Sequence, residues 1–128
     1  MTNISNLLPQ KIKFLHIGIA CDDIPLCKDF IKSVMDVVGE SETVFDKNQD
    51  ASVCLLTLQG GVELELISGP VVANILKKGM TYYHTCYGVA NIEEAMSFLK
   101  RKYKATVISE IKPGKLFNGR RVVFLYTP

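Results

Sequence analysis

No run in the chain approaches the roughly 18–20 consecutive apolar residues that cross a bilayer as a helix. Met1 to Phe14 also lack the apolar stretch of a secretion signal. Nor is one charge in excess: fifteen Lys and Arg face thirteen Asp and Glu, a net +2, too little for the electrostatic footprint of a nucleic-acid or anionic-membrane binder. Cys21, Cys27, Cys54 and Cys86 are scattered with no C-x-x-C pair, which excludes a zinc knuckle or a thioredoxin motif. Unpaired cysteines of this kind are ordinary small apolar side chains of a reducing compartment, so the expected location is the cytoplasm. What remains is 128 residues, 48% of them apolar. That suits a single domain over 1–128, able to bury about two thirds of its extended surface.

Histidine occurs only twice, at positions 16 and 84, which are 68 residues apart. Sliding the chain by that offset lays His16-Ile17-Gly18-Ile19-Ala20 on His84-Thr85-Cys86-Tyr87-Gly88. The same shift lays Asp23-Ile24 on Asn91-Ile92, Phe30 on Phe98, Lys32 on Lys100 and Ser41-Glu42 on Ser109-Glu110. Carried on without a gap, it brings Val53 to Leu58 onto Arg121 to Tyr126. Identities are few, but residue types and element boundaries stay in phase, which is the mark of an internal repeat. The first copy runs from about 12 to 68, a linker from about 70 to 79, and the second copy from about 82 to 128.

Each copy reads as strand, helix, then further strands. Phe14 to Ala20 is a short apolar run holding a histidine. After it Asp22 or Asp23 can cap a helix with Pro25 in its first turn. Leu26, Phe30, Ile31, Val34 and Val38 recur at helical spacing and predict a buried face, with Gly39 as the stop. Strands are expected over Glu40 to Phe45, Ser52 to Leu58 and Val62 to Ile67, with Gly60-Gly61 turning between the last two. Val71 to Lys78 reads as a linker helix closed by Gly79. In the second copy Asn91-Ile92-Glu93-Glu94 has capping-box spacing, ahead of an apolar stripe of Ala95, Phe98, Leu99 and Tyr103. Its expected strands are Ala105 to Ile111 and Arg121 to Tyr126.

His16-Ile17-Gly18-Ile19 before a capped helix, Glu65 in a Val-Glu-Leu-Glu-Leu-Ile strand, a Leu-Lys-Lys-Gly linker and His84 opening the second copy together resemble the vicinal oxygen chelate superfamily. Within it the likeness is to glyoxalase I and methylmalonyl-CoA epimerase, over residues 12 to 128. The resemblance implies an α+β fold: two paired βαβββ modules, the second lacking its last strand, form a cupped mixed sheet with helices outside. It also implies a divalent metal held by His16, Glu65 and His84. The fourth ligand of the family pattern would fall near position 133, beyond Pro128. The leading expectation is that a slightly longer chain supplies it; a partner subunit's strand, or loss of the metal, are the alternatives.

Two imidazoles and one carboxylate form an open N/O site suited to Zn, Ni, Co, Mn or Fe(II). The implied chemistry is proton transfer α to a carbonyl on a small thioester or hemithioacetal, by a lyase or isomerase in which Glu65 is also the catalytic acid or base. Glu63, on the same strand face as Glu65 by alternation, is the competing acid. Cys86 shares a face with His84 and is a weak ligand, a cavity thiol or a packing residue. Arg120 and Arg121 either grip an anionic substrate group or end a surface strand. Tyr82, Tyr83 and Tyr87 line core or cavity. A second family acid is expected near Asn48 or Gln49, neither of which is a base, so Asp46 or Asp50 would have to replace it. The contrasting expectation is a non-catalytic small-molecule binding module of the bleomycin-resistance type, or a domain of a longer protein. Either way the partners are a small molecule and, by the habit of the family, a second copy in a homodimer, with no nucleic acid and no membrane.

Overall fold

A computed structural model describes residues 12–127. They fall into two compact units, one of residues 14–87 and one of residues 88–127 together with Lys13. The chain is α+β, as the sequence predicts.

The 14–87 unit is built on β1 (Lys13–Ala20), α1 (Ile24–Val34), β2 (Val37–Glu40), β3 (Val44–Asp46), β4 (Ala51–Leu58), β5 (Glu63–Ser68), α2 (Ala73–Lys77) and β6 (Tyr82–Gly88). Its sheet runs β2-β4-β5-β1-β6, with β3 also paired to β4. β4 is antiparallel to β5, and β5 is parallel to β1 in a register that sets Gly18 opposite Glu65 and Ala20 opposite Ile67. Gly60 and Gly61 both take positive φ in the β4–β5 turn, a conformation that side chains disfavour.

Alternation along the strands gives the sheet two different faces. Cys54 and Leu56 of β4 and Leu64 and Leu66 of β5 pack with Cys21, Ile24 and Ile31 into the apolar cluster around α1, flanked by Ile17 and Ile19. The residues between them, His16, Gly18 and Ala20 on β1 and Glu65 and Ile67 on β5, belong to the opposite face. Burying either of its polar side chains is costly unless they find partners.

Helix α1 starts where expected: Asp23 Oδ1 accepts from Leu26 N at 3.0 Å and Pro25 sits in the first turn. Its buried side shares only Ile31 with the predicted one. Ile24 and Ile31 are buried with Cys27 packed beside them, whereas Leu26, Phe30, Val34 and Val38 are 58–69% exposed. The segment holds two overlapping stripes at helical spacing, 24/27/31 and 26/30/34, and spacing alone cannot choose between them. Packing on Leu64 and Leu66 of β5 selects the phase that turns Ile24 and Ile31 to the sheet. The helix also ends at Val34, five residues before Gly39, because Val37 and Gly39 pair with Leu58 and Thr57 of β4 across an irregularity at Val38. On the outer surface Glu40 of β2 receives Lys28 of α1 at 3.0 Å and Lys32 as well.

In the 88–127 unit, α3 (Ile92–Tyr103) is capped by Asn91 Oδ1 accepting from Glu94 N at 2.9 Å. The two strands predicted after it shrink to two-residue pairings, β7 (Thr106–Val107) with β10 (Leu125–Tyr126) and β8 (Lys112–Pro113) with β9 (Arg121–Val122). Beside these pairings Ser109 Oγ, not a carbonyl, takes the bond from Phe124 N at 2.8 Å. Ser41, the repeat-equivalent residue, does the same for Leu55 N at 2.8 Å in the other unit.

Candidate metal centre

Three neighbouring strands of the 14–87 unit deliver the site: β1 brings His16, β5 brings Glu65 and β6 brings His84. His16 and Glu65 are 2% and 1% exposed, and the His84 side chain is 14% exposed. Glu65 Oε1 stands 3.4 Å from His16 Nε2 and 3.2 Å from His84 Nε2, and the two Nε2 atoms are 3.2 Å apart. One carboxylate oxygen and two imidazole nitrogens therefore form a nearly equilateral triangle. Glu65 Oε2 is buried and has no hydrogen-bond partner among the described residues.

The charges respond to this crowding. Burial disfavours the His16 cation, but hydrogen bonds with Cys86 and Glu65 outweigh it and raise the imidazole to about 9. Burial likewise works against the Glu65 anion, and the two histidines outweigh it, bringing the carboxyl down to about 2. His16 and Glu65 thus form an imidazolium–carboxylate pair.

The triangle also fits a divalent cation. Donor atoms about 2.0–2.2 Å from an ion stand about 2.8–3.6 Å apart over octahedral to tetrahedral arrangements, and all three edges lie inside that range. The donor set suits Zn, Ni, Co, Mn or Fe(II). The orphaned Oε2 is a second sign, since a buried carboxylate oxygen left without a partner is costly.

Of the remaining residues singled out in the sequence, Glu63 is half-buried and outside the triangle, although it lies opposite His16 in the β1–β5 ladder. Cys86 is half-buried on β6, among the groups that raise the His16 imidazole. Tyr83 meets the His84 ring edge-on at 4.9 Å between centroids. Tyr82 is exposed and its hydroxyl lies 2.6 Å from Thr85 Oγ1; Tyr87 is exposed, edge-on to Phe14. Arg120 is exposed, and Arg121 is taken up by Glu93, with Nη2 3.1 Å from Oε2.

The acids considered for the β3–β4 loop do not join the three donors. Asp46 is 1% exposed and folds the loop, accepting from Asn48 N at 3.0 Å and from Gln49 Nε2 at 3.1 Å. Asp50 is exposed with a positive φ of 53°.

One residue the sequence reading passed over is Gly18. A Cβ built there would lie 2.6 and 2.7 Å from His84 Nδ1 and Nε2, so the imidazole occupies the space of the missing side chain. The available signal was its place two residues after His16, on the same strand face.

Comparison with known proteins agrees with this architecture. A family model described as Glyoxalase/Bleomycin resistance protein/Dioxygenase superfamily matches residues 15–124. The crystal structure of hypothetical protein BH1468 from Bacillus halodurans C-125 is similar with a TM-score of 0.68 and 25% identity, covering 91% of this chain and 86% of that one. The crystal structure of methylmalonyl-CoA epimerase from Mycobacterium tuberculosis is similar in fold, with a TM-score of 0.69 at 18% identity, covering 97% of this chain and 86% of that one. None of the curated proteins compared with the chain matches it.

Proposed function

Because the chain belongs to the Glyoxalase/Bleomycin resistance protein/Dioxygenase superfamily, we propose that residues 1–128 form one glyoxalase-type domain that holds a divalent metal at His16, Glu65 and His84. In this reading it acts as a lyase or isomerase, moving a proton α to the carbonyl of a small thioester or hemithioacetal. The observation that carries it is the donor triangle with edges of 3.2–3.4 Å around a buried carboxylate whose second oxygen is unused. A divalent ion bound there supplies Lewis acidity toward a carbonyl oxygen, which stabilises the charge that develops as the α proton leaves.

The chain's own residues divide the remaining work. His16 presents a neutral nitrogen once it gives up its proton, and β1 and β6 fix its separation from His84. Glu65 Oε1 faces the histidines, while Oε2 is the lobe assigned to accept and return the substrate proton. The fold shared with a methylmalonyl-CoA epimerase supports acyl thioesters as the first substrates to try. A homodimer in the cytoplasm goes with this reading; the four free cysteines suit a reducing compartment. Among the described residues, no helix is long and apolar enough to cross a membrane.

One observation favours a second reading, a module that binds its ligand without turnover. Asp46 is committed to its own loop and Asn48 and Gln49 are not bases, so Glu65 has no second acid beside it among the residues that form the triangle. Solvent deuterium incorporation into a 2-methyl-branched acyl thioester separates the two. Metal-dependent exchange, lost in Glu65→Gln, is the result expected of the enzyme. Tight thioester binding with no exchange would establish the binding module instead.

A further inference from the structure

The 68-residue offset that equates His16 with His84 also equates Gly18 with Cys86. The structure gives one side of that equivalence a physical meaning, because His84 meets the residue two positions beyond His16. The His84 ring fills the space above Gly18. β1 and β6 are neighbours in the sheet, and His16 and Gly18 share a face of β1. The His84 imidazole therefore crosses between the strands to rest at the second position beyond His16.

We propose that Gly18 is a positioning residue of this site: it seats His84 by leaving out a side chain.

The glycine is not there for the backbone. Gly18 is absent from the residues with positive φ, so an alanine could adopt its conformation, and residues with side chains are generally better in a strand interior. What an alanine meets is the imidazole, with ring nitrogens 2.6 and 2.7 Å from the new Cβ, closer than any real contact. At Gly39, another strand glycine of the same sheet, the added atom would meet Thr57 at an ordinary 3.5 Å. Gly18 is also the register partner of Glu65 and two residues from His16, so it lies at the centre of the three donors. A side chain there drives His84 away from both. The ring positions stand on the geometry alone, whereas their consequence for metal affinity rests on the proposed metal centre.

The test has two independent readouts. In metal-free protein, side-chain histidine NMR should show the His84 ring in contact with Gly18 Hα. In Gly18→Ala the His84 ring signals should move and lose proximity to His16, with the backbone amide spectrum otherwise retained. In a Zn(II) titration, Gly18→Ala should weaken binding by about 10–100-fold. A double-mutant cycle covers poor folding of the single variant: adding Gly18→Ala to His84→Ala should cost no stability, because the ring it strikes is gone. The proposal is overturned if Gly18→Ala leaves the His84 ring signals in place, or if it destabilises the His84→Ala protein as much as the wild type. A protein that takes up no Zn(II) would fail the metal reading, yet the NMR and stability arms would still decide the positioning.

Discussion

Asp23 and Asn91, 68 positions apart, cap their helices with the same bond. Each side-chain oxygen accepts from the amide three residues on, at 3.0 Å from Leu26 N and 2.9 Å from Glu94 N. Their backbones agree as well, with φ and ψ of −140° and 109° at Asp23 and −139° and 110° at Asn91. Ser41 and Ser109 repeat the pattern further along, each Oγ accepting from a backbone amide at 2.8 Å. At these four positions a side chain replaces a backbone partner in both copies of the repeat.

Removing either cap leaves a helix amide without its acceptor. Asp23→Ala and Asn91→Ala should each cost about 1 kcal/mol, and an asparagine at 23 should cost little. Urea denaturation of the three variants checks this; an unchanged midpoint for both alanine variants would mean that the caps carry no stability.

The buried side of α1 gives a sharper contrast. Ile31 is 3% exposed and Phe30 is 63% exposed. Ile31→Ala should cost about 2–4 kcal/mol, and Phe30→Ala should fall within about 0.5 kcal/mol of wild type. The reverse order would restore the helical face expected from spacing alone.

That contrast also marks how far the sequence could be read. The histidine pair, both helix caps, the Gly60-Gly61 turn and the face shared by Glu63 and Glu65 are written in spacing, because each depends on near neighbours in the chain. The phase of α1 is not, since two apolar stripes compete and only packing on Leu64 and Leu66 selects one. The second set of strands is shorter than the apolar runs predict, because an apolar run favours extended chain but carries no information on which partner it pairs with. Asp46 read as a possible acid because its type fits, and only the structure shows its carboxylate spent on Asn48 and Gln49. Gly18 was illegible for a related reason, because an absent side chain carries no signal until the ring that fills its place is known.

Metal uptake should depend on pH through the proton on His16. The His16 value rises from 6.5 to about 9, so its contribution to stability is full below about 6.5 and lost as pH climbs through about 9. The Glu65 value falls from 4.5 to about 2, so its contribution is full above about 4.5 and lost as pH drops through about 2. The pair therefore favours the metal-free fold most between about pH 4.5 and 6.5. An ion displaces the His16 proton, so binding tightens as pH rises toward 9. The gain in Tm on adding Zn(II) should be larger at pH 8 than at pH 6. An equal gain at both would contradict displacement of that proton.

The most direct measurement is the metal stoichiometry of protein purified without chelator, followed by titration of the stripped protein with Zn(II), Ni(II) and Co(II). One ion per chain, lost in His16→Ala, Glu65→Ala and His84→Ala, is the predicted result. A stripped chain that takes up none of the three, or one that binds equally well after all three substitutions, would contradict the metal centre.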